Sequence, residues 1–261
     1  MANLSLSLYH DNTIVAAASD DQSLYLATHY EYAPGDYYQL RLASVPAYVQ
    51  VQLDAALSPA VLYITKSPWR FTIPVNDQGE WGYPDSAFAG SGHYVTAKLV
   101  DESAIGKNVA VNSHDQHADT GAYPHASANA ETRGEYVFYA RNAIDGIVAN
   151  HVHGRYPYQS WGIDSRDDAE FTLDFGRPVT IDGIGLLLRA DYPHDSHWTA
   201  MTVAFSDGSE LQLAPQKTAD MQHFAFPAKT VTSLKLTHLV KDVDASSFPA
   251  LTELEVYAKE A

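Results

Sequence analysis

The chain has 261 residues, 46% hydrophobic and 18% charged, and carries a net charge of -16 from 32 acidic and 16 basic side chains. That length suits one large or two ordinary domains, and the composition is too apolar for a disordered chain. The charge argues against a nucleic acid or an anionic membrane surface as partner, and the lack of cysteine removes disulfides, thiolate metal sites and cysteine catalysis together.

From the first residues onward the apolar positions recur with a period of two. Leu4, Leu6 and Leu8 alternate, as do Val49, Val51 and Leu53, then Phe71, Ile73 and Val75, then Val95, Ala97 and Leu99. A strand with one buried and one wetted face needs this spacing, and turn clusters such as APGD and LSP separate the runs. Seven or so strands before residue 100 predict an antiparallel β-sandwich over residues 1–103. The start, MANLSLSLYHDN, has no basic leader, and no apolar run approaches ~18 residues, so the chain as given is expected to be cytoplasmic.

Asn108 to Glu135 shows little periodicity and reads as loop or extended wrapping. Alternation then returns in Phe171, Leu173 and Phe175, in Ile181, Ile184, Leu186 and Leu188, in Val203 and Phe205, in Leu211 and Leu213, in Leu234 and Leu236, and in Leu254 and Val256. Asp207-Gly208 between two such runs predicts a hairpin with a type I′ turn. No long amphipathic helix and no internal repeat is evident. The fold class is therefore all-β.

Six segments occur in a telling order: NVAVNS at 108–113, NAIDG at 142–146, SWG at 160–162, AEFTLDFGRPVTIDGIGLLL at 169–188, VAFSDGSEL at 203–211 and LTELEVY at 251–257. Together they resemble the discoidin family, the coagulation factor type C domains, of the galactose-binding-like jelly-roll fold. The resemblance covers residues 104–261. It implies an antiparallel jelly-roll sandwich whose loops at one end bind ligands, in bacterial members most often galactose or related sugars. It also implies a structural calcium held by Asp145 of the Asp-Gly loop and Glu253 of the last strand. The alternative for these two is that Asp145 caps its turn and Glu253 makes a salt bridge.

A pyranose offers an apolar C–H face and polar hydroxyl edges, so a sugar site combines aromatic rings with charged or amide groups. The segment RADYPHDSHW supplies both kinds: Arg189, Asp191, His194 and Asp195 as hydroxyl partners, with Tyr192 and Trp198 as platforms. A second segment, 151–168, adds Arg155, Tyr158, Trp161 and Arg166, with His151, His153 and Tyr156 beside them. The expected function is non-catalytic binding of a glycan or oligosaccharide, with the two segments side by side at one mouth of the jelly roll. The blander reading makes Trp161 and Trp198 core plugs and turns Arg166, Asp167 and Asp168 into a loop-fixing ion pair.

Two other classes stand beside that expectation. A polysaccharide-active enzyme, hydrolase or lyase, would need paired carboxylates, for which Asp191 with Asp195 or Asp164 with Asp167 are the nominees. A protein-interaction module would use Trp69, Trp81 and Tyr83. His151-x-His153, helped by His114 and His117, offers imidazoles for zinc or nickel, but two ligands do not make a site.

Overall fold

The computed structural model describes residues 2–75 and 82–259, so Trp81 lies outside the described residues. The protein is all-β, an antiparallel sandwich followed by a jelly-roll sandwich, with helical structure limited to short 3-10 turns among the described residues.

The first half contributes β1 (Leu4–His10), β2 (Thr13–Asp20), β3 (Ser23–His29), β4 (Tyr37–Leu42), β5 (Ala47–Gln52), β6 (Ala60–Ile64), β7 (Trp69–Thr72) and β8 (Gly92–Val100). Two sheets form, in the orders β2-β1-β4-β7 and β3-β8-β5-β6, and a short strand β9 (Ala122–Tyr123) extends the second sheet beyond β6. The predicted alternation is what closes them. Leu4, Leu6 and Leu8 are buried, and so are Val49, Val51, Phe71 and Val95, in one core between the sheets. Trp69 and Tyr83, nominated as a protein-binding surface, are buried in that core, so neither is available to a partner.

The second half contains β10 (His125–Ala128), β11 (Trp161–Gly162), β12 (Phe171–Leu188), β13 (Trp198–Phe205), β14 (Glu210–Leu213), β15 (Gln222–Lys241) and β16 (Ala250–Ala258). Their order is β11-β16-β12-β15-β13-β14, with β10 also on β12. Residues 171–174 of β12 lie beside β10, whereas 181–188 lie beside β16, and the ladder shifts register between Asp174 and Val179. A strand that changes neighbours across a bulge lets one ladder fold over and enclose a core.

The hairpin at 205–209 forms where predicted but with another turn. Gly208 has φ +84 while Asp207 is not left-handed, and Gly208 N donates to Phe205 O at 3.0 Å. This is a type I turn followed by a left-handed glycine, stabilised by Asp207 Oδ1 accepting from Ser209 N at 2.8 Å.

The aperiodic stretch after residue 108 wraps the junction between the two cores. Ser113 Oγ donates to Ser58 O (2.7 Å), Leu53 N to His114 Nε2 (3.0 Å) and Trp69 Nε1 to Thr120 Oγ1 (3.0 Å). No helix among the described residues is long and apolar enough to cross a membrane.

Candidate functional site

The two nominated segments do meet. Ala190 N donates to Asn150 O at 2.7 Å, Asn150 Nδ2 donates to Leu188 O at 2.9 Å, and His153 Nδ1 lies 2.7 Å from Asp191 Oδ2. Residues 247–250, at the entry to β16, close the third side. Between them lies a cavity of about 90 Å³ lined by Arg133, His153, Asp164, Ser165, His194 and Phe248, among others.

Of the nominated sugar contacts, Arg189 and His194, together with His153, line this cavity and the others do not. Arg189 is buried with Asp195: Arg189 Nε donates to both Asp195 oxygens at 2.9 Å and Nη2 to Oδ1 at 2.6 Å. Asp195 Oδ2 also accepts from Asp191 N at 2.8 Å. The carboxylate's hydrogen-bonding capacity is thereby spent on its own loop, so Asp191 with Asp195 is not a free carboxylate pair, while Arg189 lines the cavity with Nε and Nη2 engaged by Asp195.

The two tryptophans are corrected likewise. Trp161 and Trp198 are 0% and 1% exposed, with ring centroids 6.1 Å apart inside the jelly-roll core, and Trp161 Nε1 donates to Ala130 O at 2.8 Å. A ring without a free face cannot stack on a sugar, so both are core plugs. Tyr192 is half-buried with the Lys217 ammonium 4.6 Å above its ring, and burial raises its hydroxyl pKa above the ordinary value. Arg166 makes the loop-fixing ion pair, with Nε and Nη2 at 2.8 and 2.7 Å from the Asp168 carboxylate and Nη1 donating to Asn129 O. Arg155 is exposed and Tyr158 half-buried, and neither lines the cavity.

What does face it is a column of three flat rings. His194 stacks on His153 (4.3 Å between centroids, 7° between planes) and on Phe248 (5.2 Å, 8°). Phe248 is 44% exposed despite its size. Arg133, paired with Glu135 at 2.6 Å, and Asp164, which accepts from Arg133 N at 3.2 Å, add charge at the rim. Phe248 and Arg133 are absent from the nominations. The available signal was a lone phenylalanine in the polar loop ASSFPA, where a core residue would not be expected.

Asp145 and Glu253 are both buried, near enough for the charge of Asp145 to act on Glu253. Asp145 Oδ1 accepts from Ile147 N (2.9 Å) and Oδ2 from Gln159 Nε2 (2.7 Å), while Glu253 Oε2 accepts from Gly146 N (3.2 Å). Burial pushes the Asp145 carboxyl up to about 6. Burial, then the nearby Asp145 charge, pushes the Glu253 carboxyl well above the usual range. Among the described residues, Glu253 Oε1 and Gln159 Oε1 have no donor although both are buried. Two buried carboxylates close together, with an acceptor left over on Glu253 and no salt bridge to either among the described residues, have the all-oxygen chemistry that fits a hard cation.

No curated protein matches the chain. Among solved structures, a chitosan-binding module from a chitosanase/glucanase of Paenibacillus sp. IK-5 is 19% identical over 58% of this chain and 98% of its own, with a TM-score of 0.40. A family 32 carbohydrate-binding module from C. perfringens NanJ, solved with galactose, is 19% identical over 51% of this chain and 91% of its own, with a TM-score of 0.39. A Streptococcus pneumoniae fucose-binding module is 13% identical over 59% and 98%, with a TM-score of 0.41. Residues 120–257, just over half of the chain, match the family model described as a domain of unknown function, DUF7402, and the chain belongs to that family.

Proposed function

We propose that the protein is a non-catalytic glycan-binding protein whose second half is a discoidin-like module, and that the sugar sits against Phe248 at the loop end. The observation that carries this reading is the exposed Phe248 ring, held flat by the His194–His153 stack beside polar groups of Arg133, Asp164 and Ser165. A sugar's C–H face packs on such a ring, and its hydroxyls reach the carboxylate and guanidinium. The cavity is small, so binding is shallow and the ligand is one terminal residue of a glycan.

The test is a glycan array followed by calorimetry, with chitosan oligomers, galactose and fucose as the first ligands. Phe248→Ala is expected to weaken binding by about tenfold or more, a loss of at least ~1.4 kcal/mol. No sugar bound at millimolar concentration, or affinity untouched by Phe248→Ala, ends the proposal. The division into a sandwich over 1–103 and a jelly roll over 104–261 belongs to the same reading.

A calcium ion held by Asp145 and Glu253 is the second part of the proposal, supported by the buried Glu253 Oε1, which has no donor among the described residues. Calcium supplies positive charge to two buried carboxylates that otherwise resist ionising side by side. Added calcium should raise the melting temperature relative to chelator, and Glu253→Gln should remove the difference. Identical melting with and without calcium refutes it.

A further inference from the structure

His153, Asp191 and His194 each offer one ligand atom, and the three atoms lie within 4.8 Å of one another. They come from the two loops that frame the cavity, and His153 and His194 also line it. Two imidazoles and one carboxylate suit a first-row divalent ion such as zinc or nickel, whereas calcium and magnesium favour all-oxygen sets. We propose that these three residues form a binding site for a zinc-class ion, with the ion's remaining positions open toward the cavity.

The surroundings are those of a prepared site. His194 Nδ1 lies 3.2 Å from Asp195 Oδ1, so donation there leaves Nε2 with its lone pair outward, the arrangement in which a carboxylate orients a metal-binding imidazole. Asp195 is itself locked by Arg189, and Asp191 is tied to it twice, by its own N–H to Oδ2 at 2.8 Å and by its carbonyl, which accepts from Asp195 N at 2.9 Å. Two of the three ligands are therefore positioned by one buried ion pair. Asp191 has His153 as its ion-pair partner and, among the described residues, no lysine or arginine competes for it.

One adjustment is required. An ion lies in the plane of each imidazole it binds, and the two rings are parallel to within 7°. Two parallel planes share no point, so one ring must turn about its Cβ–Cγ bond. His194 is held between His153 and Phe248 whereas His153, among the described residues, stacks on one face only, which makes His153 the ring that turns. Metal binding thus breaks the histidine stack.

The site does not rest on the glycan reading, and it is tested without sugar. The full chain is titrated with zinc chloride and, separately, nickel chloride by calorimetry near neutral pH, while the imidazole resonances are followed by NMR. The expected result is one ion per chain, with the His153 and His194 ring signals moving as the stack opens. His153→Ala, His194→Ala and Asp191→Asn should each weaken binding by about tenfold or more, while His29→Ala and His223→Ala, at exposed histidines elsewhere, leave it unchanged. The absence of one-to-one binding, or equal losses in the His29 and His223 variants, overturns the proposal. Because ligand loss at Phe248 is read with sugars and this titration with metal alone, either proposal can fail while the other stands.

Discussion

Arg189 sits on the segment richest in sugar-binding residue types, yet its Nε and Nη2 are taken by Asp195 only six positions along the chain. Residue type told which side chains could grip a hydroxyl, but not which of them would grip each other, because that depends on whether a loop turns back. Here it does, with Asp195 N donating to Asp191 O. Removing one partner of a buried pair strands the other's charge, so Arg189→Ala should cost about 3–5 kcal/mol. Urea unfolding measures this, and a cost under ~1 kcal/mol would show the pair to be dispensable. The same blindness to burial explains Trp198 and Phe248: both are large rings in polar company, and only the fold separates the swallowed one from the 44% exposed one.

At the scale of elements, the alternation from Leu4 to Val256 was legible because a half-buried strand imposes a period of two wherever it runs. What it did not disclose was continuity. Residues 171–175 and 181–188 read as separate strands but form β12, joined across Gly176. Gly176 has φ +67, and a Cβ there would lie 2.3 Å from Tyr123 Cδ2, so the ring packs directly on bare backbone. Gly208 has φ +84 with nothing within 4 Å of a Cβ. Gly208→Ala should therefore cost about 1 kcal/mol from backbone strain alone, and Gly176→Ala clearly more. Equal costs in chemical denaturation would mean that Tyr123 swings aside freely.

For the whole molecule, two β-rich halves were foreseeable from the turn spacing, but the seam between them was not, since residues 112–126 have no period to announce what they touch. His114 lies in that seam, buried, with Leu53 N donating to its Nε2. Burial, helped by the Arg141 charge, pushes its pKa down to about 3 from 6.5. The unfolded chain therefore takes up a proton below pH 6.5 that the folded chain refuses. This contribution to stability is complete above 6.5 and declines by about 1.4 kcal/mol per pH unit as the pH falls toward 3. Raised carboxyls such as Asp145 act in the opposite direction, so the test is the stability gap between the protein and His114→Gln. It should shift against the native chain on acidification, and parallel profiles would refute the assignment.

The placing of β12 has a consequence for biosynthesis. Its two flanks are taken by β15 and β16, which lie 34 and 62 residues downstream of its end at Leu188. While the ribosome is still adding those residues, the run Ile184 to Leu188 has been made but lacks the neighbours that cover it. The nascent chain must hold a sticky segment in suspense until its final partners emerge, the interval in which a chaperone has most to offer.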